Sequence, residues 1–106
     1  MYTKSIYTKI KMSYYVYIIE GIRTSKKNYG NIVYYTGMTG NPVKRLNEHR
    51  AGIKSNYMRN NKIVPRRYVY IEQLSTYKEA LARETQIKNL SLDDKQGLIR
   101  EYNQNH

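Results

Sequence analysis

The chain has 106 residues, of which 40% are hydrophobic and 25% charged, and this is the size and composition of one globular domain. It contains no cysteine, which excludes disulfides, thiolate zinc sites and cysteine nucleophiles. No apolar run approaches the ~18 residues that a membrane span needs, and no signal-peptide pattern follows Met1. We therefore expect a small cytoplasmic protein with no membrane segment.

The charge is strongly positive and unevenly distributed. Nineteen Lys and Arg oppose eight Asp and Glu, for a net charge of +11. Residues 1–71 hold fourteen of the basic residues but only Glu20 and Glu48 as acids, and all but one of the thirteen tyrosines lie at or before Tyr77. Tyrosine rings stack on bases and basic residues bind phosphates, so an anionic partner is expected, nucleic acid first. For most single tyrosines, the alternative is a core residue in place of Phe.

The first part of the chain is rich in strand signals. Residues 1–13 are expected to form a basic arm or an extra strand, followed by one domain over residues 14–103. The β-branched and aromatic run Tyr14–Glu20 predicts a buried strand. The polar residues of Gly21–Asn31 predict a long loop, and Ile32–Met38 predicts the returning strand.

A helix is predicted to begin at Asn41-Pro42, with Asn as the N-cap and Pro at the first helical position. It should run to about Arg50 and bury Val43 and Leu46.

The middle of the chain predicts a short polar helix over Asn56–Asn61, then a break at Val64-Pro65. A third strand is expected over Arg67–Leu74, with Val69 and Ile71 on one face and Tyr68 and Tyr70 on the other.

Two helices complete the chain. Thr76-x-x-Glu79 is a capping box that predicts a helix through Leu90, and Ser91-x-x-Asp94 repeats the signal for a last helix. The predicted fold class is α+β, with a small three-stranded antiparallel sheet flanked by helices.

Glu84 is unusual because it interrupts the apolar side of its predicted helix, which also carries Tyr77, Ala80, Leu81 and Ile87. A half-buried carboxylate needs a partner. An ion pair with Arg83 or a more distant Arg would satisfy it. The alternative is a hard divalent cation bound through oxygen.

Arg45 and His49 are four residues apart, so they project from one side of the helix after Pro42. A guanidinium beside an imidazole can hold a phosphate. The alternative is a surface Arg and a solvated His.

Several of these segments resemble the GIY-YIG nuclease superfamily. Tyr15-Val16-Tyr17 and Tyr35-Thr36-Gly37 look like its two signature tripeptides, and the Arg45 and His49 spacing is also similar. The helix segment Glu79–Lys88 resembles the one that carries the family's metal-binding glutamate. The likeness covers about residues 14–100 and is closest to small single-domain members, which share the patterns Arg-Leu-x-Glu-His, Tyr57-x-Arg59 and Gln-Ile-Lys-x-Leu-Ser.

Two departures from the family pattern are visible. The first tripeptide has Tyr in place of Gly. The interval of 18 residues between Tyr17 and Tyr35 is longer than is usual in the family, and the additional residues fall in the basic Gly21–Asn31 loop.

The resemblance implies a divalent-metal-dependent endonuclease. By this likeness Glu84 would hold one Mg²⁺ or Mn²⁺, and Arg45 would neutralise charge on the phosphoryl group. Tyr17 or Tyr35 would position or deprotonate the attacking water, with Arg45 and the metal lowering the pKa of the tyrosine. His49 would contact a phosphate or carry a proton.

The implied substrate is DNA, with RNA a weaker possibility, handled by a monomer or homodimer in repair, recombination or mobile-element movement. Nucleic-acid contacts are expected from basic and aromatic residues along the chain, namely Arg23, Lys26, Lys27, Lys44, Lys54, Tyr57 and Arg59. The alternative functions are a nucleic-acid-binding module of the same fold that cuts weakly or not at all, and an RNA-binding accessory protein.

Overall fold

The fold is a three-layer α+β arrangement, in which one antiparallel sheet separates two helix layers. A computed structural model describes residues 13–52 and 56–106, and the side chains of residues 56 and 57 also fall outside the description. All but the last residue of the basic arm or extra strand expected over residues 1–13 lies outside these ranges. In chain order the elements are β1 (Tyr14–Arg23), β2 (Ile32–Thr39), α1 (Pro42–Arg50), α2 (Asn56–Asn60), β3 (Ile63–Leu74), α3 (Tyr77–Lys88) and α4 (Leu92–Asn105).

The three predicted strands form one sheet in the order β2-β1-β3, with β1 in the centre. Both pairings are antiparallel, and Tyr17 lies opposite Gly37 of β2 and Ile71 of β3. Because side chains alternate along a strand, the even-numbered residues of β1 face one helix layer and the odd-numbered residues face the other. The sheet therefore has two apolar faces.

Each face of the sheet has its own core. Helix α3 packs across β1 and β2 and α4 packs on β3, and both cover Val16 and Ile18. Helices α1 and α2 pack on β3 on the opposite side, over Tyr17 and Ile19. The all-tyrosine aromatic set supplies parts of both cores.

The predicted alternation of β3 is wrong because the strand contains a β-bulge. Ile18 pairs with Tyr70 but Ile19 pairs with Tyr68, so Val69 is the extra residue. Val69 and Tyr70 consequently share the α3–α4 face, while Tyr68 turns to the face of Tyr17.

Strand β3 also begins earlier than expected, at Ile63, and it includes Pro65. The predicted break at Val64-Pro65 is wrong because β3 is an edge strand, and the pairing shifts at Gly21, opposite Pro65. A proline lacks the N–H of the ladder and is tolerated at such an edge or bulge.

The helix boundaries follow the predicted caps closely. Asn41 accepts a bond from the backbone N–H of Lys44, and the capping box at Thr76 is complete. The buried side of α1 differs from the prediction, because Val43 is 73% exposed and His49 is buried instead. The apolar side of α3 is narrower than predicted, since Tyr77 and Leu81 are 56% and 44% exposed.

Gly37 makes room for the ring of Tyr17. A Cβ atom placed on Gly37 would overlap the Cζ and hydroxyl oxygen of Tyr17, whose side chain is among the largest that are fully buried. The two residues are direct partners in the sheet, so neither can move aside without disturbing the pairing of β1 and β2.

We expect Gly37→Ala to lower the free energy of unfolding by about 1–3 kcal/mol, which is typical of overpacking a core. Gly97→Ala is the matched control, because Gly97 lies inside α4 and its Cβ would meet only Arg100, at 3.8 Å. That change should raise stability by about 0.5–1 kcal/mol through helix propensity. Urea denaturation followed by circular dichroism measures both, and an unchanged Gly37→Ala midpoint would contradict the close approach.

Candidate active site

The centre of the candidate site is a contact between strand β1 and helix α1. The hydroxyl oxygen of Tyr17 lies 3.0 Å from His49 Nε2, and the two residues are 1% and 4% exposed. Tyr17 points to α1 because it is an odd-numbered residue of the central strand, and His49 is on the side of α1 that faces the sheet. The structure thus brings together two of the predicted catalytic residues that are 32 positions apart.

His49 is enclosed by aromatic rings rather than by water. The ring centroids of Tyr35 and Tyr17 lie 5.4 and 6.1 Å from that of His49, both in edge-to-face geometry. Burial lowers the pKa of His49, and the charge of Arg45 lowers it further. The imidazole is therefore neutral at pH 7, with Nε2 bonded to Tyr17 and Nδ1 buried with no hydrogen-bond partner among the described residues.

Burial also dominates the titration of Tyr17. It raises the pKa of Tyr17 to about 12, although Arg45 acts in the opposite direction through a hydrogen bond and its charge. Arg45 does act to lower this pKa, as expected, but burial raises it by more, because an enclosed phenolate loses its hydration. Tyr17 is neutral at physiological pH.

Arg45 joins α1 to the exposed edge of the sheet. Its Nη1 donates to the carbonyl oxygen of Met38 at 3.0 Å, and its Nε lies 3.3 Å from Glu48 Oε1. A cavity of about 240 Å³ opens beside it at the end of β2, lined by Thr39, Gly40, Asn41, Lys44, Arg45 and Glu48. Two cations in a small cleft can bind a phosphate group.

Two residues of the candidate site, Tyr68 and Glu48, were not identified from the sequence. Tyr68 packs edge-on against Tyr17 with ring centroids 5.2 Å apart, and its hydroxyl donates to the carbonyl oxygen of Pro42. No sequence signal places it there, because the bulge in β3 decides its face. Glu48 was detectable, since it is three residues from Arg45 on the same helix.

Glu84 lies on the other side of the sheet from Tyr17. Its side chain is 16% exposed, and among the described residues its ion-pair partner is Lys88, with Nζ 3.5 Å from Oε2. The predicted pair with Arg83 is wrong, because Arg83 binds Glu72 at 2.8 Å instead.

Strand β2 connects the two halves of the predicted site. The side chain of Met38 packs in the core beneath α3, whereas its carbonyl oxygen accepts from Arg45. Glu84 and Arg45 therefore approach β2 from its two faces. No contact joins Glu84 to Arg45, Tyr17 or His49 within the described part of the chain.

The donor set suits a metal that is bound mainly by water and substrate. Within residues 13–52 and 56–106, no group of three or more His, Cys, Asp or Glu converges on one point. Mg²⁺ keeps several waters and commonly uses one or two carboxylates together with substrate phosphates. Glu84 fits that pattern because it offers hard oxygen ligands and is open on one side.

The predicted nucleic-acid contacts fall into separate places. Lys44 is exposed beside the Arg45 cleft, whereas Arg23 ends β1 at the far end of the sheet and is followed by the exposed Lys26 and Lys27. The Nη1 of Arg59 donates to the carbonyl oxygen of Gly52. Lys54 and the side chain of Tyr57 lie outside the described residues.

None of the helices in the described ranges is long and apolar enough to cross a membrane.

The chain is similar to a known protein family and to several of its members. The model of the GIY-YIG catalytic domain matches residues 13–98, which extends from β1 into α4 and includes Tyr17, Arg45 and Glu84. The UPF0213 proteins of Haloquadratum walsbyi and Syntrophus aciditrophicus are 35% and 36% identical to this chain over 88 residues. These alignments cover 83% and 82% of the chain, and 88% and 90% of the relatives.

The solution NMR structure of the UPF0213 protein from Bacillus halodurans is also similar. It matches with a TM-score of 0.46 and 30% sequence identity, over 84% of each chain. The match of the catalytic-domain model over most of the chain and the identity to the UPF0213 proteins lead to one conclusion: the chain belongs to the GIY-YIG family.

Proposed function

We propose that this protein is a divalent-metal-dependent endonuclease that hydrolyses phosphodiester bonds in DNA. The observation that carries the proposal is the Tyr17–His49 hydrogen bond beside Arg45, which combines a proton acceptor with a phosphate-binding cation. Membership of the GIY-YIG family and the net charge of +11 support a polyanionic substrate.

Phosphodiester hydrolysis makes three demands on a site. A water must lie in line with the bond that breaks, charge on the phosphoryl oxygens must be neutralised, and the leaving 3′ oxygen must be stabilised. The residues of this chain divide among these demands according to exposure and charge.

The proton path uses the neutral forms of Tyr17 and His49. Tyr35 is half-buried and lies against the same imidazole, so it is the tyrosine that an incoming water meets first, and it orients that water. As the water oxygen bonds to phosphorus and the P–O3′ bond breaks, the water proton passes to the Tyr17 oxygen and the Tyr17 proton passes to His49 Nε2. This transfer does not require Tyr17 to ionise beforehand, which matters because a pKa of about 12 leaves very little Tyr17 phenolate at physiological pH.

Arg45 supplies the fixed positive charge. Its bond to the Met38 carbonyl and its pair with Glu48 hold the guanidinium at the mouth of the cleft. A preorganised cation there stabilises charge that develops on the phosphoryl oxygens in the transition state.

Glu84 would hold the Mg²⁺ or Mn²⁺, whose charge would stabilise the phosphoryl and leaving oxygens. Because Glu84 and Tyr17 lie on opposite sides of the sheet, the phosphate would lie at the edge of β2, where Arg45 binds the Met38 carbonyl. Lys88 keeps the carboxylate in place through its ion pair, and it is the group that a cation at Glu84 would displace or share.

The DNA would lie along the basic residues of the first two-thirds of the chain. One site cuts one strand, so double-strand cleavage requires a homodimer or two successive nicks.

We expect Arg45→Ala to reduce kcat by about 10²–10³-fold, as the loss of one preorganised donor does in other hydrolases. Glu84→Gln should reduce cleavage to background in both Mg²⁺ and Mn²⁺, because a neutral amide no longer binds the cation. Glu101→Gln, an exposed site on α4, is the control and should match the wild type. Plasmid nicking measures cleavage, and electrophoretic shifts in EDTA should change little.

Two results would contradict the proposal. If Glu84→Gln cuts as fast as the wild type, the metal assignment is wrong. If the wild type shifts duplex, nicked, flap, junction and single-stranded DNA but cuts none of them with either metal, the chain is a binding module of this fold.

The pH dependence of cleavage follows from His49. The relay needs an unprotonated imidazole, and burial and Arg45 hold the pKa of His49 below its ordinary value of 6.5. The rate should therefore persist as pH falls to 6.5 and decline only below it, as His49 takes up a proton. His49→Gln should lower kcat by about 10²-fold or more and remove this acidic decline.

The exposed His106 supplies the control, and His106→Gln should keep the wild-type profile. An acidic decline that survives in His49→Gln would assign the titration to another group and overturn the relay.

A further inference from the structure

A second cavity lies at the opposite end of strand β2 from the Arg45 cleft. It measures about 520 Å³ and is lined by residues from three segments, namely Arg23, Asn31, Ile32, Val33, Tyr34, Leu92 and Lys95. The catalytic scheme above uses none of these residues.

The cationic rim of this cavity is held in place by the backbone. The N–H of Arg23 donates to the Asn31 carbonyl at 2.9 Å, and the Arg23 carbonyl accepts from Gly30 at 2.9 Å. The next residue, Thr24, bonds to the Lys62 carbonyl through both its N–H and its hydroxyl. The root of the long loop is therefore fastened to the turn that precedes β3.

Lys95 reaches the same cavity from the first turns of α4. Its N–H donates to the carbonyl of Ser91, the residue that caps the helix. Neither Lys95 nor Arg23 forms an ion pair with a carboxylate in the part of the chain that the structure describes. Two cations from distant segments thus line one cavity, and within residues 13–52 and 56–106 no carboxylate pairs with either of them.

Apart from Asn31, the remaining lining is apolar and aromatic. Ile32 and Leu92 are 55% and 60% exposed, and Tyr34 packs against the core. Cations beside an apolar wall match a nucleotide, whose phosphate is anionic and whose base and sugar bury apolar area. A base that is paired and stacked in a duplex cannot enter a concave pocket, so the nucleotide that fits is unpaired.

The position of the cavity relates it to the candidate active site. Ile32 and Tyr34 are even-numbered residues of β2 and face the helix layer that carries Glu84. From Tyr34 to Met38 is four residues, and from Ile32 to Thr39 is seven, or roughly 13 and 23 Å at 3.3 Å per residue. A strand lying along β2 would therefore reach the cavity a few nucleotides from the bond that is cut.

We propose that the Arg23–Lys95 cavity binds an unpaired nucleotide of the DNA substrate, and that the enzyme accordingly prefers DNA with a single-stranded arm over fully paired duplex. This rests on the proposed function for the identity of the substrate, but binding tests it without cleavage.

The test compares two labelled DNAs that share one duplex, one of them blunt and the other with a short unpaired arm, by fluorescence anisotropy in EDTA. The double variant Arg23→Ala/Lys95→Ala should weaken binding of both DNAs, and the loss for the armed DNA should be at least about fivefold larger than the loss for the blunt DNA. A fivefold difference corresponds to about the lower end of the binding free energy that one stacked base contributes. The salt slope on the armed DNA should fall by about 0.7 for each lost cation. Lys78→Ala/Arg100→Ala removes the same charge from exposed positions outside the cavity, and should affect both DNAs equally.

Leu92→Ala tests the contribution of the apolar wall of the cavity without changing its charge. It should reduce the preference for the armed DNA while leaving the salt slope unchanged. Equal losses on armed and blunt DNA for all of these variants would overturn the proposal.

Binding of thymidine monophosphate tests whether the cavity recognises a free nucleotide or only a nucleotide that is part of DNA. If thymidine monophosphate binds through Arg23 and Lys95 while the arm has no effect, the cavity is a mononucleotide site and the substrate proposal is wrong. If the wild type prefers the armed DNA through this cavity but cuts nothing with either metal, the cavity inference stands and the endonuclease proposal falls.

Discussion

The hydrogen bond between Tyr17 and His49 is the interaction on which the rest of the candidate site depends. It links the central strand to α1, and it satisfies one nitrogen of an imidazole that is 4% exposed. A buried polar group without a partner is costly, so α1 must present His49 to Tyr17. The same rotation of the helix places Arg45 at the edge of β2 and leaves Val43 in solvent. Gly37 is part of this constraint, because a side chain there would occupy the space of the Tyr17 ring.

Strand β2 organises the functional surface because α3 packs on one of its faces and Arg45 of α1 binds its backbone. Its Met38 contributes a side chain to the core under α3 and a carbonyl to Arg45 on the other side. The two cavities lie at its two ends. Among the described strands β2 pairs on one side only, and basic residues line the cavities at its two ends, so it offers an extended track for a chain of phosphates.

Much of the local structure was predictable because its causes are local. The caps at Asn41, Thr76 and Ser91 need only residues three positions apart, and the helix starts were right. The family resemblance also proposed site residues, and two of these, Tyr17 and His49, are in hydrogen-bond contact. The ion pairs divide in the same way: Glu84 and Lys88 are four residues apart on α3, so their pair was predictable from spacing, whereas the choice of Glu72 for Arg83 depends on how α3 sits on β3. The bulge at Val69, which brings Tyr68 to the site, depends on strand pairing.

The sequence by itself determined the fold class, the family resemblance, the +11 charge and its concentration in residues 1–71, since all of these follow from composition and local spacing. Only the tertiary structure decided what each chemical group can do. It buried Tyr17 and His49 together, which makes both neutral and couples them. It also gathered Arg23 and Lys95 at one cavity although they are far apart in the chain. The physical reason is that desolvation and charge proximity depend on which distant residues the sheet register and helix packing bring into contact.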